Sequence, residues 1–193
     1  MIAAGVFIVL TYMVASVPTG PILATLYADV DVTQQGSGNI GATNVYRALG
    51  PRFGAATLIG DILKGLIPVL LGSLVSDVAW FPGVVGLVAF AAHCWPAYLE
   101  FRGGKGVATA AGVLLGLAPF VALLTAGVWM LIFLALRRSS VAALLATVSL
   151  PLFTLWLRED IVWVTIVLMI GVLQRHRSNI RRLLRGEEPM VNG

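Results

Sequence analysis

The sequence predicts an all-α, polytopic integral membrane protein with seven transmembrane segments, and three observations carry that expectation. Of 193 residues, 59% are hydrophobic and only 11% charged, whereas a soluble domain carries about 25% charged residues. Apolar runs near the roughly 17–25 residues that cross a bilayer follow one another along the chain. Lys and Arg gather in every second loop between those runs.

The first run covers residues 2–26. Ser16, Pro18, Gly20 and Pro21 interrupt its second half, and Pro within a helix removes a hydrogen bond and bends it. No basic region precedes the run, so a retained helix is expected rather than a cleaved signal. The next runs are 53–75 and 80–99; a short fourth covers 107–117. Residues 119–136, 141–157 and 161–173 complete the series. The connecting segments hold, in order, Arg47 and Arg52; none; Arg102 and Lys105; none; Arg137 and Arg138; and Arg158 offset by Glu159 and Asp160. The tail adds Arg175, Arg177, Arg181, Arg182 and Arg185. Under the positive-inside rule this alternation places the N-terminus outside and the C-terminus in the cytoplasm. Omitting the short fourth run would put Arg137 and Arg138 on the wrong face. One membrane-embedded domain, residues 1–193, is expected, with no internal repeat of the kind inverted-repeat transporters show. The lone Cys94 excludes a disulfide framework and a cysteine-based zinc site. No ligand cluster suggests a metal, no cofactor is expected, and the net charge of +4 reports orientation rather than nucleic-acid binding.

Polar chemistry concentrates in four places. Residues 36–50 are dense in Gly, Ser, Asn and Thr. Glycines there can turn N–H groups toward an anion. Ser37, Asn39, Thr43 and Asn44 can add donors, and Arg47 adds a fork for phosphate. A flexible polar loop is the plainer reading. Gly36, Gly38 and Gly41 also spell G-x-G-x-x-G, with Asp61 twenty residues beyond, but a dinucleotide fingerprint needs a preceding strand and not a membrane-length run. Asp61 and Lys64 share a helix face at i, i+3. They either fasten helices as an ion pair or line a cavity, and Gly60 and Gly65 beside them permit close helix approach. His93 is read as a packing residue or a site residue. In Gly103-Gly104-Lys105-Gly106, before Val107 and Thr109, glycines surround a lysine ahead of a helix. That suits an anion at a helix N-terminus, although a basic turn beside headgroups would look the same. In the tail, His176 and Asn179 lie on one helix face, within a stretch that could otherwise serve only to bind anionic lipid.

Together the Ser37–Gly38–Asn39–Ile40–Gly41–Ala42–Thr43–Asn44–Val45–Tyr46–Arg47 stretch, Asp61-Ile62-Leu63-Lys64-Gly65, Gly103-Gly104-Lys105-Gly106 through Thr109, and His176-Arg177-Ser178-Asn179-Ile180 resemble the bacterial acyl-phosphate:glycerol-3-phosphate acyltransferases, the PlsY family. The resemblance runs in order along essentially the whole chain. It implies transfer of a fatty acyl group from acyl phosphate to the sn-1 hydroxyl of glycerol 3-phosphate, giving lysophosphatidic acid and phosphate. It implies catalytic roles for Ser37, His176 and Asn179. Phosphate or substrate binding would fall to Ser37, Gly38, Asn39, Gly41, Thr43, Asn44, Arg47, Lys64, His93, Gly103, Gly104, Lys105, Gly106 and Thr109. The implied partners are acyl phosphate, glycerol 3-phosphate and membrane lipid. A monomer in the bacterial inner membrane, with its site on the cytoplasmic face, is the implied setting. Ala143 stands where the family carries a second Ser, which weakens a role for the turn at Ser140. No H-x-x-x-x-D occurs, since Tyr98 and Arg181 occupy the Asp positions, which disfavours a thioester donor. Asp61 and His176 are the candidate general bases; the preferred reading gives that task to a substrate phosphate oxygen. A phosphate or glycerol 3-phosphate transporter is the alternative function.

Overall fold

The computed structural model describes residues 2–191. Ten α-helices, with short 3-10 turns between some of them, account for its regular structure among those residues. The first apolar run is two helices, α1 (Ile2–Ala15) and α2 (Thr19–Ala28), broken at Pro18. A break in an apolar setting frees backbone carbonyls that must find donors. The freed Val17 carbonyl accepts from Lys64 Nζ at 2.7 Å, and Ser16 Oγ accepts from the Ala97 N–H at 3.3 Å. A polar loop then leads to α3 (Ala42–Leu49), joined through Gly50, at φ 84°, to α4 (Pro51–Val75). Pro51 opens α4 where its missing N–H costs nothing.

After α5 (Phe81–Cys94) the chain turns back on itself. Glu100 and Phe101 take left-handed conformations, and the following residues return against the end of α5. Gly103 N–H donates to the Cys94 carbonyl at 3.2 Å and Gly104 N–H to the His93 carbonyl at 3.1 Å. Side chains at either position are excluded: a Cβ on Gly103 would overlap the His93 carbonyl, and one on Gly104 the His93 ring. Helix α6 (Val107–Leu117) therefore begins beside the end of α5, already inside the bundle. This explains its 11 residues, about 16 Å at 1.5 Å per residue.

Helices α7 (Pro119–Leu136) and α8 (Ser139–Leu157) follow as a pair, then α9 (Val162–Arg175) and α10 (Arg177–Leu184), which meet at His176. The core joins six helices through Val69, Phe90, Val113, Leu114, Val121, Leu150, Val164, Leu168 and Val172. The closest crossing is α4 on α6, where Gly65 faces the Thr109 carbonyl and Gly112 faces the Ile62 carbonyl. Small residues let backbones approach in this way where lipid removes the usual hydrophobic drive. Gly60 gives the same access to Thr19 of α2, so both glycines flanking the Asp61–Lys64 pair act as expected. The outer faces are apolar, with Leu131, Phe120 and Leu123 each more than 60% exposed.

Five helical stretches have membrane-spanning length and hydropathy: Ile2–Ala28, Pro51–Val75, Phe81–Leu99, Pro119–Leu136 and Ser139–Leu157. The expected fourth and seventh segments are present as the shorter α6 and α9.

Candidate functional site

One cavity of about 580 Å³ gathers most of the polar residues singled out in the sequence. Ser37, Asn39, Gly41, Thr43, Asn44, Arg47, His93, Lys105, Gly106, His176 and Asn179 all line it. These come from loops and helix ends far apart in the chain.

Three helices begin at this cavity. Gly41, Ala42 and Thr43 open α3; Gly106, Val107 and Ala108 open α6; Ser139 and Ser140 open α8. None of the three starts has a side-chain cap. The first N–H groups of a helix have no acceptor inside it, and the aligned peptide dipoles leave partial positive charge there. Arg47, Lys105 and Arg182 add full charges on the same walls. Burial presses the Lys105 ammonium down to about 8; Arg182, Arg47 and Arg175 push the same way, and Glu188 opposes them. An anion entering the cavity would restore its proton.

His176 is 2% exposed, and its Nδ1 lies 2.9 Å from the Val172 carbonyl. A carbonyl only accepts, so Nδ1 carries the hydrogen and Nε2 keeps a lone pair. Burial and then Lys105 lower its pKa to about 4, against the Val172 hydrogen bond and the Glu188 charge. His176 is therefore neutral at pH 7, and a weak base in the empty cavity.

Several expected ligand contacts are instead structural. Asn44 uses all four of its hydrogen bonds on the preceding loop. Its Oδ1 accepts from Ser37 N at 2.9 Å and Ser37 Oγ at 3.2 Å, and its Nδ2 donates to the Val32 and Gln35 carbonyls. It shapes the 36–39 loop and has no donor left for phosphate. Gly38 lies off the cavity wall, and its N–H is spent on the Gln35 carbonyl. The anion nest expected at Ser37 and Gly38 is thus already filled by protein acceptors. Gly103 and Gly104 are likewise off the wall. Their carbonyls accept from Arg175 Nη2 at 2.5 Å and Nε at 2.9 Å, and Arg175 also lies over the Trp95 ring. These glycines let Lys105 and Gly106 reach the cavity, without touching it themselves. Thr109 is fully buried and is not part of the wall.

Lys64 is also absent from the wall. It pairs with Asp61 Oδ1 at 2.9 Å while holding the Val17 carbonyl, so the fastening role is the one realised. Asp61 does reach the cavity, as does His93, whose Nδ1 lies 3.6 Å from Asp61 Oδ1 and makes no hydrogen bond. Sequence reasoning discounted the α8 start, where Ala143 weakened a role for Ser140, and missed the segment after α10. Ser139 Oγ is 3.3 Å from Thr43 Oγ1, which ties the first polar loop to the Arg137–Arg138 turn. The pattern of two basic residues, two serines and an apolar run was the available signal. Glu187, Glu188 and Met190 close one side of the cavity. Nothing in the sequence distinguished them from a solvated tail.

A second, apolar recess of about 160 Å³ lies between α6, α7 and α8. It shares Val107, Ala108, Trp129 and Ala143 with the polar cavity. Alanines at 110, 111, 122, 126 and 146 keep it open.

A family model described as glycerol-3-phosphate acyltransferase matches residues 5–186. A glycerol-3-phosphate acyltransferase of Rubrobacter xylanophilus is 45% identical over 188 residues, covering 96% of this chain and 94% of the relative. The crystal structure of PlsY (YgiH), an integral membrane glycerol 3-phosphate acyltransferase, in its glycerol 3-phosphate form, superimposes with a TM-score of 0.92. It is 39% identical, with 97% of this chain and 94% of that one covered. The lysophosphatidic acid form of the same protein gives a TM-score of 0.90 at the same identity. The cavity, the all-helical apolar fold and this full-length similarity agree: the chain is an integral membrane enzyme and belongs to the glycerol-3-phosphate acyltransferase family.

Proposed function

We propose that this protein transfers a fatty acyl group from acyl phosphate to the sn-1 hydroxyl of glycerol 3-phosphate, releasing lysophosphatidic acid and inorganic phosphate. The observation that carries this reading is the junction of an apolar recess with a cavity where three helix starts meet Arg47, Lys105 and Arg182. The cavity answers the chief difficulty of the reaction, which is holding two mutually repelling phosphates together. The helix starts of α3, α6 and α8 and the charges of Arg47, Lys105 and Arg182 supply the counter-field. The recess between α6, α7 and α8 takes the acyl chain, which enters from the bilayer.

The hydroxyl oxygen attacks the acyl carbonyl. The new ester C–O bond forms as the bond from the carbonyl carbon to the phosphate oxygen breaks. Phosphate leaves readily, so no strong acid is needed. The hydroxyl proton passes to a phosphate oxygen of a substrate; His176, with its lowered pKa, orients the hydroxyl through Nε2. Holding both reactants in attack geometry contributes about 7–11 kcal/mol. Each N–H aimed at the developing oxyanion adds about 3–4 kcal/mol in favourable cases.

The topology belongs to the same reading. Helix α6 alone is too short for a core of about 30 Å. It starts beside the end of α5, inside the bundle, and residues 102–106 bring the chain there from the basic, cavity-facing edge. This supports seven crossings in one domain, with the N-terminus outside, the C-terminus inside, and the cavity facing the cytoplasm of a bacterial inner membrane. A monomer is the working unit in this reading.

The test is the purified protein assayed with glycerol 3-phosphate and a matched pair of donors. Lysophosphatidic acid is expected from acyl phosphate and not from the acyl thioester. Uptake of glycerol 3-phosphate into proteoliposomes without acylation would overturn the reading.

A further inference from the structure

The cavity gathers helix starts and cations, yet three carboxylates stand on its wall, Asp61, Glu187 and Glu188, and the last of them is held by the site's own side chains. Glu188 lies beyond the end of α10 and is 7% exposed. Its Oε1 accepts from Asn179 Nδ2 at 2.6 Å, and its Oε2 accepts from Arg182 Nε at 2.7 Å. Its backbone carbonyl accepts from Arg138 Nε at 3.1 Å, which ties the segment to the start of α8. Two residues on, the Met190 carbonyl accepts from Arg47 Nη2 at 3.0 Å. A further negative charge here weakens the hold on phosphate, so its presence needs another use.

Asn179 supplies that use. The oxygen and nitrogen ends of an amide are nearly the same size, so packing alone does not choose between them. A neighbouring carboxylate does choose, because only the NH₂ end is attracted to it. Glu188 therefore fixes the flip of Asn179 and turns Oδ1 the other way. That oxygen is buried and has no hydrogen-bond partner, and Asn179 is only 3% exposed. A lone acceptor does not suit a phosphate, which presents oxygens; it suits a hydroxyl. One helical turn earlier, Nε2 of His176 offers a second acceptor on the same wall.

We propose that Glu188 is a positioning residue, which from the C-terminal segment locks the Asn179 amide so that Oδ1 accepts a hydrogen bond from a hydroxyl of the glycerol moiety. This rests on the reading of the cavity as the glycerol 3-phosphate site. Glu188→Gln is the direct test. An amide at 188 can accept from Arg182 but then presents NH₂ to Asn179, which removes the preference for the native flip.

In steady-state assays on the full-length protein, Glu188→Gln is expected to raise the KM for glycerol 3-phosphate about tenfold. The KM for acyl phosphate and the melting temperature should stay at their native values. In an Asn179→Ala background the same change should add less than twofold. An unchanged glycerol 3-phosphate KM overturns the proposal. So does a lowered one, which would make Glu188 a competing anion. A rise in both KM values with a lower melting temperature, or a full tenfold loss without Asn179, also overturns it. If Glu188→Gln does not fold, Asn179→Asp carries the test. A carboxylate there faces Glu188 and must cost more than Asn179→Ala, and an equal cost overturns the proposal. A native protein that makes no lysophosphatidic acid defeats the underlying reading instead. An active native protein with an indifferent variant defeats only this inference.

Discussion

At the level of single residues, Lys105 gives the sharpest expectation. Below about 8 its buried ammonium is charged; as pH rises through that value the free enzyme loses the charge. The kcat/KM for glycerol 3-phosphate should therefore fall above pH 8, because that ratio reports the free enzyme. Lys105→Arg keeps the charge at every accessible pH and should move the fall beyond pH 9, whereas Lys105→Ala should reduce kcat/KM at least a hundredfold. A pH profile of each variant checks both. His176 should add no limb near its usual value, since it stays neutral from about pH 5 upward. Residue identity was readable in the sequence more often than residue role. Arg47, Lys105, His176 and Asn179 were legible as cavity-lining residues because strongly polar side chains at the ends of apolar runs have few other uses. Asn44, Gly103 and Gly104 show where the sequence falls short, for a common reason: their polar groups are engaged by the protein's own segments. A hydrogen bond to a loop and one to a ligand call for the same donors, and only the fold shows which partner is already present.

Among the elements, the α6–α7–α8 recess sets what the acyl chain can be. Its walls are mostly alanine, and Leu114 and Leu150 belong to the same lining. Filling it should shorten the preferred donor. Ala146→Phe is expected to lower turnover of long acyl phosphates at least tenfold while sparing short ones, measured as kcat/KM across a chain-length series. Core overpacking costs about 1–3 kcal/mol, so a melting curve should accompany the assay. Most elements were legible from hydropathy alone, with bounds within a few residues. The break after α1 was signalled by Pro18. The fold-back that starts α6 was not legible as such: it depends on Gly104 meeting the His93 ring and on Arg175, about seventy residues further along the chain, gripping two carbonyls.

On the scale of the whole molecule, the proposed topology puts the cavity on the cytoplasmic side, and this is directly measurable. The only native cysteine, Cys94, is buried, so introduced cysteines can be labelled against a quiet background. Ser37→Cys and Arg185→Cys should react with an impermeant maleimide only from the cytoplasmic side, and Asp77→Cys only from outside. Ser37→Cys labelled from outside would remove the topology. The alternation of basic loops is what carries this topology. What could not be read was how the tail returns to the cavity, because Glu188 and Met190 act through side-chain and backbone contacts to Asn179, Arg182 and Arg47. The Lys64 contact with the Val17 carbonyl has a bearing on biogenesis. The interrupted first segment precedes its donor along the chain, so its Val17 carbonyl lacks the Lys64 partner until α4 enters and packs. Nascent chains arrested before residue 60 should thus be short-lived or held by the insertion machinery. Chains extended past residue 75 should accumulate, and Lys64→Met should abolish the difference in pulse-chase lifetimes.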